Sequence, residues 1–211
     1  PRSKVYDEPA AEGKAAKDAE ITGKFLEFIK TRDRKKPYFA FIFYDASHGS
    51  YEYPPEYERF KPAAYSFNYL TIDNKKALPV FNKYRNSIYY DSRLTMKVID
   101  SLAADGGLKN TAVIVTGDHG EPFFEYGYHG HNQGYCPAEI KVPLVFYWPG
   151  LKPETYEAFT SHLDVAPSVL KLLGVKNKRE LLEKVGQERF IQECKKAIMK
   201  YHREWVEADR K

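Results

Sequence analysis

The 211-residue sequence lacks long hydrophobic runs and a strong charge of one sign. Its longest apolar run, Tyr38 to Tyr44, is far shorter than the roughly 20 residues of a membrane-spanning helix, so none is expected. The net charge is only +4, and Lys and Arg alternate with Asp and Glu. This pattern predicts a solvated surface and no nucleic-acid partner, while anionic substrates and lipid headgroups remain acceptable.

Several catalytic signatures are also missing from the sequence. The two cysteines, Cys136 and Cys194, are too few for a disulfide framework, and their spacing fits no zinc motif. A glycine-rich phosphate loop and a GxSxG nucleophile are both absent from the 211 residues, which argues against P-loop and serine-esterase chemistry. Because the chain starts at Pro1 without a signal-peptide pattern, we expect it to be a piece of a longer protein.

What the sequence does contain is an alternation of helical and strand patterns. Apolar spacing predicts amphipathic helices over 14–31 and 78–103. Aromatic and β-branched runs at 37–45, 111–117 and 142–150 predict buried strands, the first of them buried on both faces as in a parallel sheet. The sequence therefore predicts an α/β layered fold with a mostly parallel sheet flanked by helices.

An acid and a histidine follow one predicted strand directly. Asp118 and His119 come after the run at 111–117, at the strand end where chemistry gathers in such sheets. A carboxylate oxygen and an imidazole nitrogen are a common pairing for a divalent ion such as zinc or manganese. A capped strand end without function is an equally weighted alternative. The glycines in "GDHGE" favour function, because they let backbone approach closely.

Three more histidines are candidates for contact with an anion. His129 and His131 are two residues apart and point to opposite sides of an extended chain, so at most one is expected at the site, and we favour His131. His48 lies just beyond the run at 37–45, where an imidazole can bind an anion or protonate a leaving oxygen. For each of these histidines the alternative is a loop residue without function.

The remaining polar candidates have simpler interpretations. Glu121 and Glu125 would orient the histidines, although solvent exposure explains them equally well. His162 precedes a predicted helix, which favours a structural role, and His202 lies in a charged terminal stretch, which favours a solvated one.

Several segments, in order, resemble a known family. The segments "NTAVIVTGDHGE", "YGYHGHN", "VPLVFYWPG" and "TSHLDVAPSVLKLLGV" are similar to the C-terminal half of sulfatases in the alkaline phosphatase superfamily. The upstream segments "KPYFAFIFYDASHGSYEYP" and "FNKYRNSIYYDSRLTMKVIDSL" resemble, more narrowly, the periplasmic domains of inner-membrane sulfatase-like proteins of the YejM/PbgA type. The resemblance divides the chain into a lead-in with the first helix (1–35), the C-terminal part of a sulfatase-like domain (36–177) and a charged helical extension (178–211).

The resemblance implies roles for particular residues. Asp118 and His119 map onto two ligands of a catalytic divalent metal, which would be zinc, manganese, magnesium or calcium. His131 maps onto the histidine that contacts the sulfate or phosphate group, with His129 as the alternative register, and His48 maps onto the histidine after the preceding strand. His131 and His48 are thereby the candidate catalytic and substrate-binding residues.

The departures from the family pattern leave two hypotheses. No C/S-x-P-x-R nucleophile motif occurs in the chain, so the nucleophile and the remaining acidic ligand would belong to a missing N-terminal half. The first hypothesis is a fragment of a metal-dependent hydrolase or phosphotransferase acting on sulfate or phosphate esters. The second is a sulfatase-like domain on the periplasmic side of the inner membrane, with a lipid-binding or regulatory role and little or no catalysis.

Overall fold

The computed structural model describes residues 9–68, 72–157 and 160–174. The chain divides into two compact units, Pro1–Lys152 and Pro153–Lys211. The predicted charged helical extension at 178–211 lies outside the described residues.

Two long helices form the body of the first unit. Helix α1 spans Lys14–Thr31 and helix α2 spans Ala77–Ala104, so both helical predictions are confirmed. Apolar side chains that recur at helical spacing give each helix an apolar face, and these faces pack the two helices together. The core between them consists of Phe25, Ile29, Val98 and Leu102.

Two short strands form the sheet of the first unit. Strand β1, Val113–Thr116, and strand β2, Leu144–Tyr147, lie within the predicted runs and confirm them as strands. The expected burial of these strands is wrong, because β1 is only partly buried and β2 is mostly exposed. They pair antiparallel, with Val113 opposite Tyr147, because the chain reverses between them through a loop and the short helix α3, Pro137–Ile140. Within the described ranges the sheet has this one antiparallel pair, so the mostly parallel sheet expected from the sequence is not confirmed.

The strand predicted at 37–45 is wrong. These residues are not in a strand, and burial on both faces fails because every second side chain faces outward. Tyr38 and Ile42 pack against the α1/α2 core, whereas Phe39, Phe41 and Phe43 are exposed by 91%, 78% and 54%. An unbroken apolar run hides this period of two, since both faces are equally hydrophobic in sequence. Phe39, Phe41 and Phe43 are called the aromatic stripe below.

The described part of the second unit contains a short α-helix. Helix α4, Val165–Leu172, follows a 3-10 turn that contains His162. Ser161 and Asp164 stabilise this turn with a capping box. The side chain of each residue accepts a hydrogen bond from the backbone N–H of the other. Among the described residues, no helix is long and apolar enough to cross a membrane.

Candidate functional site

The loop after β1 presents Asp118 and His119 as predicted. His119 Nδ1 lies 2.8 Å from the carbonyl oxygen of Gly120, and because a carbonyl only accepts, this nitrogen carries the proton. The lone pair of the ring is then on Nε2, which lies 3.7 Å from Asp118 Oδ2. A free imidazole nitrogen and a carboxylate oxygen side by side are the donor types that a divalent cation takes.

Gly120 holds this loop close to the rest of the unit. Its backbone N–H donates to the Glu139 carbonyl at 2.5 Å, and a Cβ at this position would collide with the backbone oxygen of Ala138. Only glycine allows such an approach without displacing α3. The close backbone approach expected of the glycines beside the acid and histidine is found at Gly120, where it serves the packing of the loop against α3.

His131 returns to the same place from further along the loop. Its ring centroid lies 4.1 Å from that of His119 and 5.8 Å from that of His48. Its Nδ1 is 3.3 Å from both carboxylate oxygens of Glu121, whose side chain is only 6% exposed. A buried carboxylate fixes the ring orientation of the histidine that it binds. We call His48, His119 and His131 the histidine face.

His129 lies in different surroundings, although it is only two residues from His131. It is buried beside Phe123, at a centroid distance of 4.9 Å, and its Nε2 is 3.3 Å from the Tyr51 hydroxyl. Burial lowers its pKa below the ordinary value, because the charged ring loses its hydration. A substrate could reach His129 only if these aromatic rings opened, whereas His131 lies beside solvent-accessible groups.

Two helix carboxylates anchor the loop that carries His48. Asp18 of α1 is 1% exposed and accepts the backbone N–H of Asp45 at 2.9 Å and of Ala46 at 2.7 Å. Asp91 of α2 accepts hydrogen bonds from Ser47. Desolvation raises the pKa of Asp18 to about 6 and that of Asp91 to about 7. The loop that carries His48 is thus held by two carboxyl groups whose pKa values are raised by burial.

Lys14 is a neighbour of the histidine face that the sequence patterns do not indicate. Its Nζ lies 2.7 Å from His48 Nδ1 and 3.0 Å from the Gly49 carbonyl oxygen, and 3.5 Å from Asp45 Oδ2. Lys14 and His48 are separated by 34 positions in the sequence, and no sequence motif surrounds this lysine at the start of a helix. Only the packing of α1 against the 45–52 loop brings them together.

Among the remaining candidates, Glu125 is not part of the histidine face. Glu125 binds the backbone N–H of Phe123 within its own turn. His162 lies in the second compact unit, and His202 and Cys194 lie outside the described residues. Cys136 is buried.

The histidine face and Asp118 together offer two kinds of chemistry. One is a pair of ligands for a divalent cation, and the other is a set of imidazoles that can contact an anion. Asp118 and His119 offer two ligands to a divalent cation, fewer than the three or four protein ligands that such ions usually take. Across the part of the chain that the structure describes, no group of three or more His, Cys, Asp or Glu side chains is arranged to hold a metal. The carboxylate and imidazole donors suit a divalent metal ion, and two ligands are enough for part of a metal site but not for a complete one.

The chain is similar, at low identity, to proteins named as a sulfatase, an inner membrane protein and a sulfotransferase. N-acetylglucosamine-6-sulfatase of Bos taurus is 24% identical over 171 residues, which cover 71% of this chain and 30% of that protein. The inner membrane protein YejM of Salmonella typhimurium is 28% identical over 109 residues, covering 51% of this chain and 18% of that protein. The low-salt glycan biosynthesis sulfotransferase Agl7 of Haloferax volcanii is 32% identical over 97 residues, covering 44% and 24%.

These relatives are all much longer than the chain, which spans less than a third of each of them. The family model described as Sulfatase matches residues 1–175, which is most of the 211 residues. The chain belongs to the sulfatase family.

Proposed function

We propose that this chain supplies part of the active site of a metal-dependent hydrolase or phosphotransferase that acts on sulfate or phosphate esters. The observation that carries the proposal is the convergence of His48, His119 and His131 from two separate loops. The three side chains are partly exposed, and imidazoles grouped in this way suit the binding of an anionic ester group. Membership of the sulfatase family supports the same reaction class.

We assign a role to Asp118 and to each residue of the histidine face. Asp118 and His119 would hold a divalent ion through Oδ2 and Nε2, and when bound such an ion polarises an ester oxygen and favours nucleophilic attack. His131, held by Glu121, would contact the anionic group of the ester. His48 would hold or protonate the leaving oxygen. The ion would be zinc, manganese, magnesium or calcium.

The nucleophile would come from an N-terminal half of the same sulfatase domain in a longer protein. The aromatic stripe supports a neighbour of this kind, because three phenylalanines in a row of alternate positions form an apolar surface suited to packing. The complete metal site would likewise need ligands besides Asp118 and His119.

The experiment uses the full-length parent protein with an aryl sulfate and an aryl phosphate as substrates. We expect Asp118→Ala and His119→Ala to lower kcat/KM by a factor of at least about 1,000, because each removes a metal ligand. Asp33→Ala serves as the control, since the exposed Asp33 side chain makes only local contacts, an ion pair with Lys36 and a hydrogen bond from the Lys35 backbone N–H. Turnover of both esters that is unchanged in the Asp118 and His119 variants would end the proposal.

A second candidate function is a sulfatase-like domain on the periplasmic side of the bacterial inner membrane, with a lipid-binding or regulatory role and little catalysis. The similarity to an inner membrane protein and the exposed aromatic stripe favour it, because aromatic side chains suit the membrane interface. Co-sedimentation with phosphatidylglycerol vesicles, against phosphatidylcholine vesicles, tests this role. Loss of binding in Phe39→Ser/Phe41→Ser would support it, and equal recovery in both pellets would contradict it.

A further inference from the structure

Lys14 and His48 form a contact that determines where the imidazole carries its proton. The Lys14 ammonium has only donors, so at 2.7 Å it donates to His48 Nδ1, and Nδ1 must therefore hold the lone pair. A ring with its lone pair on Nδ1 carries its hydrogen on Nε2. We propose that Lys14 is a positioning residue that fixes His48 as the Nε2–H tautomer, a hydrogen-bond donor for the anionic group of the ester.

A competing partner for Nδ1 lies close by, but the distances favour Lys14. Asp45 Oδ1 is 3.7 Å from His48 Nδ1, beyond hydrogen-bonding distance. A carboxylate there would favour the opposite tautomer with hydrogen on Nδ1. The Lys14 ammonium is a full ångström nearer, and a charge-assisted hydrogen bond is stronger than a longer contact.

The position of the ammonium group is itself determined by several acceptors. Its three N–H bonds match His48 Nδ1, the Gly49 carbonyl oxygen and the carboxylate of Asp45. The Lys14 side chain is 24% exposed, so part of its hydration is replaced by these contacts. Lys14 therefore meets the His48 loop as a fixed group rather than as a freely moving surface lysine.

The backbone of Lys14 is tied to the same loop. Its N–H donates to Glu52 Oε2 at 2.7 Å, which places a carboxylate at the N-terminus of α1, where an anion is stabilised. Glu52 in turn donates its backbone N–H to the Ala46 carbonyl oxygen at 2.9 Å. The start of α1 and the loop of His48 are thus held in register by both main-chain and side-chain bonds.

This inference rests on the proposed function for its meaning, but its test needs neither substrate nor metal. Long-range 1H–15N correlation spectra of the 15N-labelled 211-residue chain at pH 8 distinguish the two neutral tautomers, and His48→Gln assigns the signal. We expect the Nε2–H tautomer in the unchanged chain. Lys14→Met should change the tautomer ratio of His48 roughly tenfold toward Nδ1–H, the size of one hydrogen bond to a charged group.

Two further variants separate positioning from general damage. Lys14→Arg should keep the Nε2–H tautomer, because a guanidinium also donates and never accepts. Lys30→Met, which removes the same charge from an exposed position of α1, should leave the His48 signal unchanged. Far-ultraviolet circular dichroism checks that each variant is folded.

The proposal is overturned if His48 of the unchanged chain carries its hydrogen on Nδ1, or if Lys14→Met has the same tautomer ratio as the unchanged chain. The first of these outcomes is decisive even if Lys14→Met does not fold. If the Asp118 and His119 variants stayed active, the hydrolase proposal would fail but the tautomer result would stand. The failure of one proposal can therefore be told apart from the failure of the other.

Discussion

Two histidines of one loop, His129 and His131, are two residues apart and belong to opposite kinds of environment. His131 joins the histidine face, with Glu121 at its Nδ1 and His119 at its side. His129 belongs to an aromatic cluster that also contains Tyr51, Phe67 and Phe123. The difference teaches that residue type alone does not mark a functional residue. The imidazole of His129 packs among aromatic rings, whereas that of His131 makes polar contacts.

The largest expected effect comes from the aromatic cluster. Phe123 is 7% exposed and contacts the rings of Phe81 and Tyr84 at 5.0 and 5.1 Å between centroids. Phe123→Ala should lower the free energy of unfolding by about 3–5 kcal/mol, through lost burial and the cavity that remains. Phe41→Ala, the same change at a 78% exposed position, is the control, measured by urea unfolding. Equal losses in the two variants would contradict the assignment of stability to the cluster.

An intermediate effect is expected beneath the histidine face, at Asp91. Its pKa is about 7 in the folded chain against an ordinary 3.8, so the folded state keeps a proton that the unfolded state loses. The stability from this group is present below about pH 4 and is lost as the pH rises through 7. Asp91→Asn should therefore raise the free energy of unfolding at pH 8 by roughly 1–3 kcal/mol and have little effect at pH 4.

The control for Asp91 is the exposed Asp100 of the same helix. Asp100→Asn should give a stability profile parallel to that of the unchanged chain from pH 4 to pH 8. If Asp91→Asn also gave a parallel profile, the carboxylate would not be carrying the cost of burial that its pKa indicates.

The smallest expected effect is the direct comparison of the two histidines. His131→Gln should change the free energy of unfolding by less than about 0.5 kcal/mol, because the amide can still bind Glu121 beside solvent. His129→Gln should cost about 1–2 kcal/mol, since an amide replaces a ring in the aromatic cluster. Thermal or urea unfolding at pH 7.5 compares them. A larger loss at His131 would mean that the histidine face also carries stability.

Much of the site was predictable because its members follow local patterns. Asp118 and His119 come directly after an apolar run that forms β1, and the alternation of side chains separates His129 from His131. His48 was a candidate from its place after the run at 37–45, although that run forms no strand, and from the resemblance to the sulfatases. The roles of these residues in binding and catalysis stay predictions.

Other features could not be read from the sequence because they depend on packing over long distances. Lys14 reaches His48 only through the contact of α1 with the 45–52 loop, and Asp18 binds Asp45 and Ala46 in the same way. The run at 37–45 misled in the other direction. Its uniform hydrophobicity predicted burial, whereas the structure covers only alternate side chains.

The aromatic stripe has a practical consequence for work with the isolated chain. Three exposed phenylalanine rings at alternate positions of a segment that belongs to no strand form an apolar surface through which chains associate. We expect the 211-residue chain to precipitate at concentrations at which Phe39→Ser/Phe41→Ser remains in solution. The concentration of the chain that spectroscopy can use is therefore limited by its colloidal stability before it is limited by its folding.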